Sequence, residues 1–345
     1  MEKQGMTTFR RAIPAAVLLV ILFFCGFAAS AGDIHEAAKL ADIGRIREIL
    51  ARNPAEVNSL TPYGTTPDGY AMTPLHWAAR MGHLDVAALL LSHGADISGH
   101  TSRGMTPLHM AALRGLASMS EFLLDHGASA TATDSFGATP LHLASICGSD
   151  PTIRVLLAHG APIDARGGDG ATPLIEAVRQ GKPGAAFLLA SSGADLSRAD
   201  KTGETPLHAA IRFRHTVLVR HLIAAGAPIA AVTAQGRTPL HLAAHLLWPE
   251  GVKLLLENGA PADPIDRDGN TPLLLAGRQA YWELSMTRTR AKDLTQLFDD
   301  ILSLFLSHGA NAEFRAGDGT TVRTLASFIV GTPRFERLRR DASVR

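Results

Sequence analysis

The chain has few of the residues that build disulfide scaffolds, cysteine-rich metal sites and aromatic cores. Its 345 residues include two cysteines, three tryptophans and three tyrosines. Only Cys147 lies beyond residue 31, so the rest of the chain can form no internal disulfide and no site with several cysteine ligands. We expect Cys147, at the end of an apolar helix, to be a packing thiol.

Neither sign of charge dominates the composition. Lysine and arginine number 33 against 32 aspartates and glutamates, which gives a formal net charge of +1. Bulk charge therefore gives no reason to expect attraction to nucleic acids or to anionic membranes. We expect neither nucleic acid nor a membrane surface as a partner of the folded part of the chain.

The sequence also lacks the short motifs of common catalytic sites. It contains no G-x-S-x-G nucleophile motif and no Walker-type glycine loop. We predict that the protein is not an enzyme, with no catalytic residue, cofactor or bound metal. The alternative is an enzyme with an unrecognised site.

The first 31 residues have the anatomy of a secretory signal peptide. "MEKQGMTTFRR" carries three basic residues, and the apolar run "AIPAAVLLVILFFCGFAA" leads to a small-residue site at Ala29-Ser30-Ala31. We predict cleavage after Ala31 and export to a bacterial periplasm. The alternatives are secretion, or an uncleaved leader that anchors the protein in the inner membrane and is its only membrane contact.

One eight-residue stretch returns at a fixed interval after the leader. "TPLHWAAR" begins at Thr73, and each related stretch begins 33 residues after the last. Self-similarity at this period predicts one stacked array rather than separate globular domains. The later stretches begin at Thr106, Thr139, Thr172, Thr205, Thr238 and Thr271.

Each unit contains the signals for two short helices. Threonine is a natural N-cap, and the proline after it fits the first helical turn. "PLHWAARM" and "LDVAALLLSHG" then place apolar residues at helical spacing, with "GH" between them. Gly94 follows the second helix, where a left-handed residue ends helices. The pattern predicts one helix pair in each unit.

The period, the opening at Thr73–Ala79 and the G-A-D exit at Gly94–Asp96 resemble the ankyrin repeat. The resemblance implies an all-α solenoid of stacked helix-turn-helix repeats with projecting β-hairpin loops. It also implies protein binding by a concave face of hairpin tips and first helices. After the signal peptide at 1–31, we predict about nine repeats in 32–345. They are 32–64 as the N-terminal cap, 68–98, 101–131, 134–164, 167–197, 200–230, 233–263, 266–312 with an insertion near 280–297, and 316–345 as a degenerate C-terminal cap and tail.

Three segments depart from the regular unit. "TPYGTTPDGYA" predicts an enlarged hairpin, and the basic tail "RFERLRRDASVR" is expected to fray. The insertion near 280–297 is expected to lengthen both helices of its repeat. Its Tyr281 and Trp282 either contact a partner or pack on the C-terminal cap, and the sequence leaves both open.

Five histidines recur within the repeated openings. Stacked helices lie about 8–10 Å apart, whereas zinc holds imidazole nitrogens at about 2.0–2.1 Å, so successive histidines cannot share a metal. Ile175 and Leu274 take the position without breaking the period. The resemblance implies that each histidine bonds to the capping threonine and to neighbouring backbone. The five are His76, His109, His142, His208 and His241.

Residues that vary between units are the candidates for recognition. Arginines at the end of the first helix, interspersed with Met and Phe, predict a groove for a protein segment of acidic character. The alternative is a solvated helix edge on which arginine is a good helix former. The candidates are Tyr70, Met72, Arg80, Met81, Arg103, Met105, Arg114, Phe136, Arg179, Lys201, Arg212, Phe213, Arg237, His245, Arg267, Arg278, Tyr281 and Trp282.

The sequence thus predicts a non-enzymatic scaffold that binds an unidentified partner protein and is monomeric alone. A secreted effector that engages host proteins is the alternative function. Reversing the charge of Arg114, Arg179 and Arg212 together is expected to weaken capture of the partner while leaving thermal stability intact.

Overall fold

The computed structural model describes residues 34–61, 70–286 and 291–343, and regular structure in these ranges is helical. The predicted leader and most of the predicted enlarged hairpin lie outside them. Of the helices in these ranges, none is both long and apolar enough to cross a membrane. The helices are α1 (34–39), α2 (Ile43–Arg52), α3 (Pro74–Met81), α4 (Leu84–Ser92), α5 (Pro107–Leu113), α6 (Ala117–Asp125), α7 (Pro140–Cys147), α8 (Asp150–Ala158), α9 (Pro173–Arg179), α10 (Pro183–Ser191), α11 (Pro206–Arg212), α12 (Thr216–Ala224), α13 (Pro239–His245), α14 (Pro249–Glu257), α15 (Pro272–Met286), α16 (Ala291–Ser307), α17 (Val322–Ala326) and α18 (Thr332–Ser343).

The first compact unit comprises the described residues up to Ala111 together with 118–129. Within it, α3 packs against α4, and α2 packs against α4. Ile34, Leu75 and Leu90 are fully shielded from solvent in its core. Ile34 of α1 is therefore buried in the core as Leu75 of α3 is.

The second compact unit comprises residues 112–117 and everything described from Ala130 onwards. Its first helices α7, α9, α11, α13, α15 and α17 each pack against the next, and so do its second helices α8, α10, α12, α14 and α16. Leu141, Leu174 and Leu207 recur at 33-residue intervals and are all fully shielded. Helix pairs therefore stack in sequence as a solenoid in this unit, and the predicted all-α fold class is confirmed.

A threonine–histidine pair at the start of the first helix links one repeat to the next where the histidine is present. The backbone N–H of Thr73 donates to His76 Nδ1 across 3.2 Å, and His76 Nε2 donates to the carbonyl oxygen of Met105 across 2.9 Å. Both ring nitrogens are used, so the repeated histidines act as structural ties. The same bond from Nε2 joins His142 to Ala171, His208 to Arg237, and His241 to Asn270.

The turn between the two helices of a repeat requires a left-handed residue. Glycine supplies it at Gly82, Gly115, Gly148 and Gly181, with φ between 61° and 82°. Ala41, Arg214 and Leu247 occupy the same kind of turn with φ of 57°, 52° and 48°. A side chain in this conformation is strained, because Cβ crowds the backbone.

The hairpins between repeats are turns and not strands. In one of them Asp134 N–H donates to the oxygen of Ala138 across 2.9 Å, and Gly137 N–H donates back to Asp134 across 3.0 Å. The described ranges contain no strand, only an isolated antiparallel bridge between Arg315 and Thr321. The predicted β-hairpin loops are therefore tight turns, because their arms are too short for a ladder.

Backbone hydrogen bonds tie successive hairpins together in the second unit. Gly168 N–H donates to the oxygen of Phe136 across 2.6 Å, and Lys201 N–H donates to Asp169 across 2.9 Å. These bonds recur every 33 residues and fix the spacing of the hairpin tips. The further members are Ala234 to Thr202 and Arg267 to Gln235.

The insertion lengthens both helices of its repeat, as predicted. Helix α15 has 15 residues and α16 has 17, whereas α13 and α14 have 7 and 9. Tyr281 packs edge-on against Phe328 of the C-terminal cap, with ring centroids 4.8 Å apart. Of the two possibilities left open for the inserted aromatics, Tyr281 shows packing on the cap, while 56% of Trp282 remains exposed.

The expectation that the C-terminal tail frays is wrong for the described residues. A π-helical turn at Ser327–Gly331 leads from α17 into α18, and α18 continues to Ser343. Phe335 is fully shielded and Leu338 is nearly so. These residues lie three apart and pack on one face of α18, so the tail is an amphipathic helix of the cap.

Candidate protein-binding surface

The end of each first helix carries one candidate position per repeat. Counting in steps of 33 from Arg179 leads back to Ile146 and Leu113. Arg114 therefore lies one residue out of register, which turns its side chain by about 100° around the helix. The arginine row predicted from the sequence is interrupted by apolar residues. From the second repeat to the eighth, the position holds Arg80, Leu113, Ile146, Arg179, Arg212, His245 and Arg278.

Arg179 is held by three carboxylates. Its Nη1 lies 2.6 Å from Asp169 Oδ2 and 3.1 Å from Glu176 Oε1, and its Nη2 lies 2.5 Å from Asp200 Oδ2. The side chain of Asp200 is only 3% exposed. The guanidinium therefore neutralises hairpin carboxylates, including one from the next repeat, and is not a free cation.

Other predicted arginines of the second unit are paired in the same way. Arg212 donates to the carboxylate of Glu204. Arg237 Nε lies 3.2 Å from Asp266 Oδ2, and Arg278 Nη2 lies 2.7 Å from Asp318 Oδ2. Such pairs cancel much of the positive field that the sequence predicts here. Lys201, Arg267 and Arg114 are exposed at the surface.

Three cationic side chains of the first unit lie over aromatic rings. The guanidinium of Arg103 lies 4.6 Å from the ring centroid of Tyr70. Arg80 and Lys39 both lie 5.6 Å from the ring of Trp77. These are cation–π distances. Sequence reasoning missed Trp77, although it occupies the variable position of the T-P-L-H-x-A-A opening, where an unusual residue is a signal.

Two of the predicted recognition residues are core residues. Met72 is fully shielded, and Met105 is 5% exposed. Each directly precedes a capping threonine, and Met105 supplies the carbonyl that binds His76. Their side chains are buried, so neither is available to a partner.

Large apolar side chains are exposed at other predicted positions. Phe136, at a hairpin tip, is 62% exposed, and Phe213, at the end of α11, is 48% exposed. Met81, at the end of α3, is also exposed. Exposed aromatic and methionine side chains are types that protein interfaces use. The structure thus exposes apolar side chains at these positions and pairs Arg179, Arg212, Arg237 and Arg278 with carboxylates.

The histidines of the surface are not placed for metal binding. His241 has both ring nitrogens bonded, and the described ranges contain no cluster of three or more His, Cys, Asp or Glu that could hold a metal ion. His245 is half-buried beside Arg237 and Arg212. Burial lowers the pKa of His245, and the two guanidinium groups lower it further.

The chain is similar to known ankyrin-repeat proteins. The family model described as Ankyrin repeats (3 copies) matches residues 34–134, 129–200, 163–232, 186–268 and 218–284. The crystal structure of the human ASB11 ankyrin repeat domain shares 30% identity and a TM-score of 0.54, over 59% of this chain and 92% of that one. The ankyrin repeat domain of Bcl-3, a unique member of the IkappaB protein family, shares 30% identity and a TM-score of 0.56, over 67% of this chain and 98% of that one.

A curated channel protein also matches a short part of the chain. A Caenorhabditis elegans homolog of transient receptor potential cation channel subfamily A member 1 is 40% identical over 62 residues. The match covers 18% of this chain and 4% of the channel protein. The chain therefore spans a very small part of that relative's length.

Proposed function

This chain belongs to the ankyrin-repeat family, whose repeats serve as protein–protein interaction modules, and we propose that it is an exported, non-enzymatic scaffold for a partner protein. The binding surface consists of the hairpin tips and the ends of the first helices. Export is proposed from the leader-like first 31 residues.

One observation carries the proposal. The second unit combines a repeated backbone frame with unlike side chains on its tips. The same hairpin-to-hairpin bond recurs from Gly168 to Arg267, yet the residues at the tips include Phe136, Lys201 and Arg267. A rigid frame that presents an irregular set of exposed side chains suits recognition of one shaped surface.

The ion pairs change the expected character of the partner. The sequence predicts an acidic segment held by a row of arginines. Because Arg179, Arg212, Arg237 and Arg278 are already paired with carboxylates, a uniformly acidic segment would compete with those carboxylates. We therefore propose a partner surface that is mixed in charge and carries apolar groups for the exposed phenylalanines.

Cross-linked capture from intact cells tests the scaffold function. The tagged full chain is compared with a Phe136→Ala/Phe213→Ala variant, and Phe328→Ala serves as the control because Phe328 is equally exposed but lies in the C-terminal cap. We expect one partner recovered by the wild type and the control, and at least about tenfold less by the double variant. Equal recovery by all three, or no partner at all, contradicts the proposal.

Cell fractionation tests the location. A cleaved chain in the periplasmic fraction supports the proposed scaffold, and mass spectrometry of its N-terminus locates the cleavage site. A chain in the culture medium or in host cells instead supports the secreted effector. An uncleaved chain in the membrane fraction supports an anchored scaffold.

A further inference from the structure

A groove of about 590 Å³ lies between two neighbouring hairpins of the second unit. Phe136 and Ile146 line it from one repeat, and Asp169 and Glu176 line it from the next repeat. Gly167 and Gly168 also line it. The groove therefore brings an exposed aromatic ring and two carboxylates to the same open space.

Two positions beside this groove carry no cation. Ile146 stands at the position where Arg179 and Arg212 stand in the next two repeats, and Gly168 stands where the later hairpins carry Lys201, Ala234 and Arg267. No long cationic side chain at these two positions fills the groove. At Gly168 a side chain is also excluded by the close backbone contact, since a methyl group there would overlap the carbonyl oxygen of Phe136.

The groove is locally negative. Asp169, Glu176 and Asp200 share the single guanidinium of Arg179, which leaves three carboxylates with one cation. Burial raises the pKa of Glu176, and Arg179 opposes that shift. A carboxylate that is partly desolvated and incompletely paired gains most from an added cation.

We propose that this groove binds an arginine side chain of the partner protein. Its guanidinium stacks on the ring of Phe136 and donates to Asp169 and Glu176, while its methylene groups cover Ile146. Arginine fits better than lysine, because a planar guanidinium can stack on a ring and donate to two carboxylates at once. This inference rests on the proposed scaffold function and adds the chemistry of one contact to it.

Titration of the isotope-labelled full chain with short blocked peptides tests the groove directly. The probes are Ala-Ala-X-Ala-Ala with X as Arg, Lys, Gln or Glu, and binding is followed on the backbone amide signals of Gly167 and Gly168. We expect the arginine peptide to bind at least about tenfold more tightly than the glutamine peptide, and the lysine peptide to fall between them. Equal affinity for arginine and glutamine, or equal affinity for arginine and lysine, would overturn the assignment.

The variant Ile146→Arg supplies a tethered guanidinium at the groove. It is compatible with the fold, because the next two repeats carry Arg179 and Arg212 at this position. We expect it to weaken arginine-peptide binding at least about tenfold, whereas Val217→Arg, at an exposed position in the second helix α12, leaves binding unchanged. Should Ile146→Arg fail to fold, Phe136→Ala provides the same test by removing the ring. Unchanged binding by the folded variant contradicts the inference.

The peptide measurement is independent of any cellular partner. If the captured partner is recovered equally by the wild type and Ile146→Arg, the arginine assignment is wrong and the scaffold function stands. If no partner is captured but the arginine peptide binds in the groove, the scaffold function is wrong and the groove stands.

Discussion

His208 Nε2 donates to the carbonyl oxygen of Arg237 across 3.0 Å, although the two residues are 29 positions apart. The other ring nitrogen, Nδ1, accepts the backbone N–H of Thr205 across 3.3 Å. A second proton on the ring would remove that acceptor in a buried site. The neutral ring therefore holds two repeats together, and its protonation opposes folding.

Acid is expected to destabilise the fold through these rings. Burial lowers the pKa of His76 and of His208 from 6.5 to about 4. Between pH 6.5 and 4 the unfolded chain binds protons that the folded chain does not, so stability falls as pH falls through this window. Each histidine contributes about 1.4 kcal/mol per pH unit where the two pKa values bracket the pH. Urea denaturation at pH 7, 6, 5 and 4.5 measures the effect.

The control for this pH dependence is His208→Leu. Leucine stands at the equivalent position as Leu274, where it is fully shielded. The variant loses the hydrogen bond from His208 to Arg237, so it is expected to be less stable than the wild type at pH 7. Its stability is nevertheless expected to depend less on pH between 6.5 and 4. An unchanged slope would show that His208 is not the titrating group.

Relieving the left-handed strain at Ala41 is expected to stabilise the first repeat. Ala41 is exposed and has φ of 57°, so Ala41→Gly removes Cβ crowding without removing a packed side chain. The expected gain in unfolding free energy is about 0.5–1 kcal/mol. Ala88→Gly, at an exposed position inside α4, is the control and should lose about 1 kcal/mol. Both are compared by urea denaturation, and destabilisation by Ala41→Gly contradicts the argument.

Adding a methyl group at Gly203 is expected to push two neighbouring hairpins apart. Gly203 has φ of 84°, and a methyl group there would lie 2.6 Å from the backbone nitrogen of Ala234. Gly203→Ala should therefore cost about 2 kcal/mol or more. Gly44→Ala, in α2, where a methyl group would make only an ordinary contact of 3.6 Å with Asp42 Oδ1, should instead stabilise by up to about 1 kcal/mol. Hydrogen exchange of the Ala234 amide, faster in Gly203→Ala alone, locates the effect.

Arg179 is expected to contribute to stability as well as to the surface. Arg179→Ala leaves the nearly buried carboxylate of Asp200 without its cation, which should cost about 2 kcal/mol. The exposed Arg114 is the control, and Arg114→Ala should change stability by less than about 0.5 kcal/mol. The sequence predicts that charge reversal at Arg114, Arg179 and Arg212 leaves thermal stability intact, whereas the ion pairs of Arg179 predict a loss of stability there. Equal melting temperatures of Arg179→Ala and Arg114→Ala would contradict the predicted loss.

The C-terminal cap is expected to depend on Phe335. This ring is fully shielded, so Phe335→Ala should destabilise the cap by about 3–5 kcal/mol. Phe328→Ala removes a ring that is 64% exposed and should cost far less. Limited proteolysis within α18 compares the two variants. Equal resistance of both to the protease would show that α18 is not anchored by Phe335.

Local chemistry explains what could be predicted from the sequence. A threonine cap, a proline in the first turn and a glycine after the second helix act within a few residues, so the helix pairs could be placed. The buried face of α18 also had a local signal, the three-residue spacing of Phe335 and Leu338. That signal was obscured by the surrounding basic residues.

Contacts between repeats explain what could not be predicted. Arg179 forms an ion pair with Asp200 of the next hairpin, 21 residues away in the sequence. The residue types at surface positions do not reveal such a pairing. Met72 and Met105 are buried by packing that the repeat pattern does not encode. The open space of the groove depends on Ile146 and Gly168 together, and its net charge depends on the absence of a cation at these two positions.

The histidine ties give the stack a polarity. In every described case the ring donates toward the C-terminus, as His241 does to Asn270 in the following hairpin. A repeat copied into the middle of the stack would find an acceptor ahead of it and supply one behind it. Two repeats lack this donor, since Ile175 stands at the position inside the stack and Leu274 stands there in the eighth repeat. Copying a repeat that carries the histidine therefore adds a bond that points forward, whereas copying the repeat with Ile175, or extending the stack beyond the eighth repeat, adds none from that position.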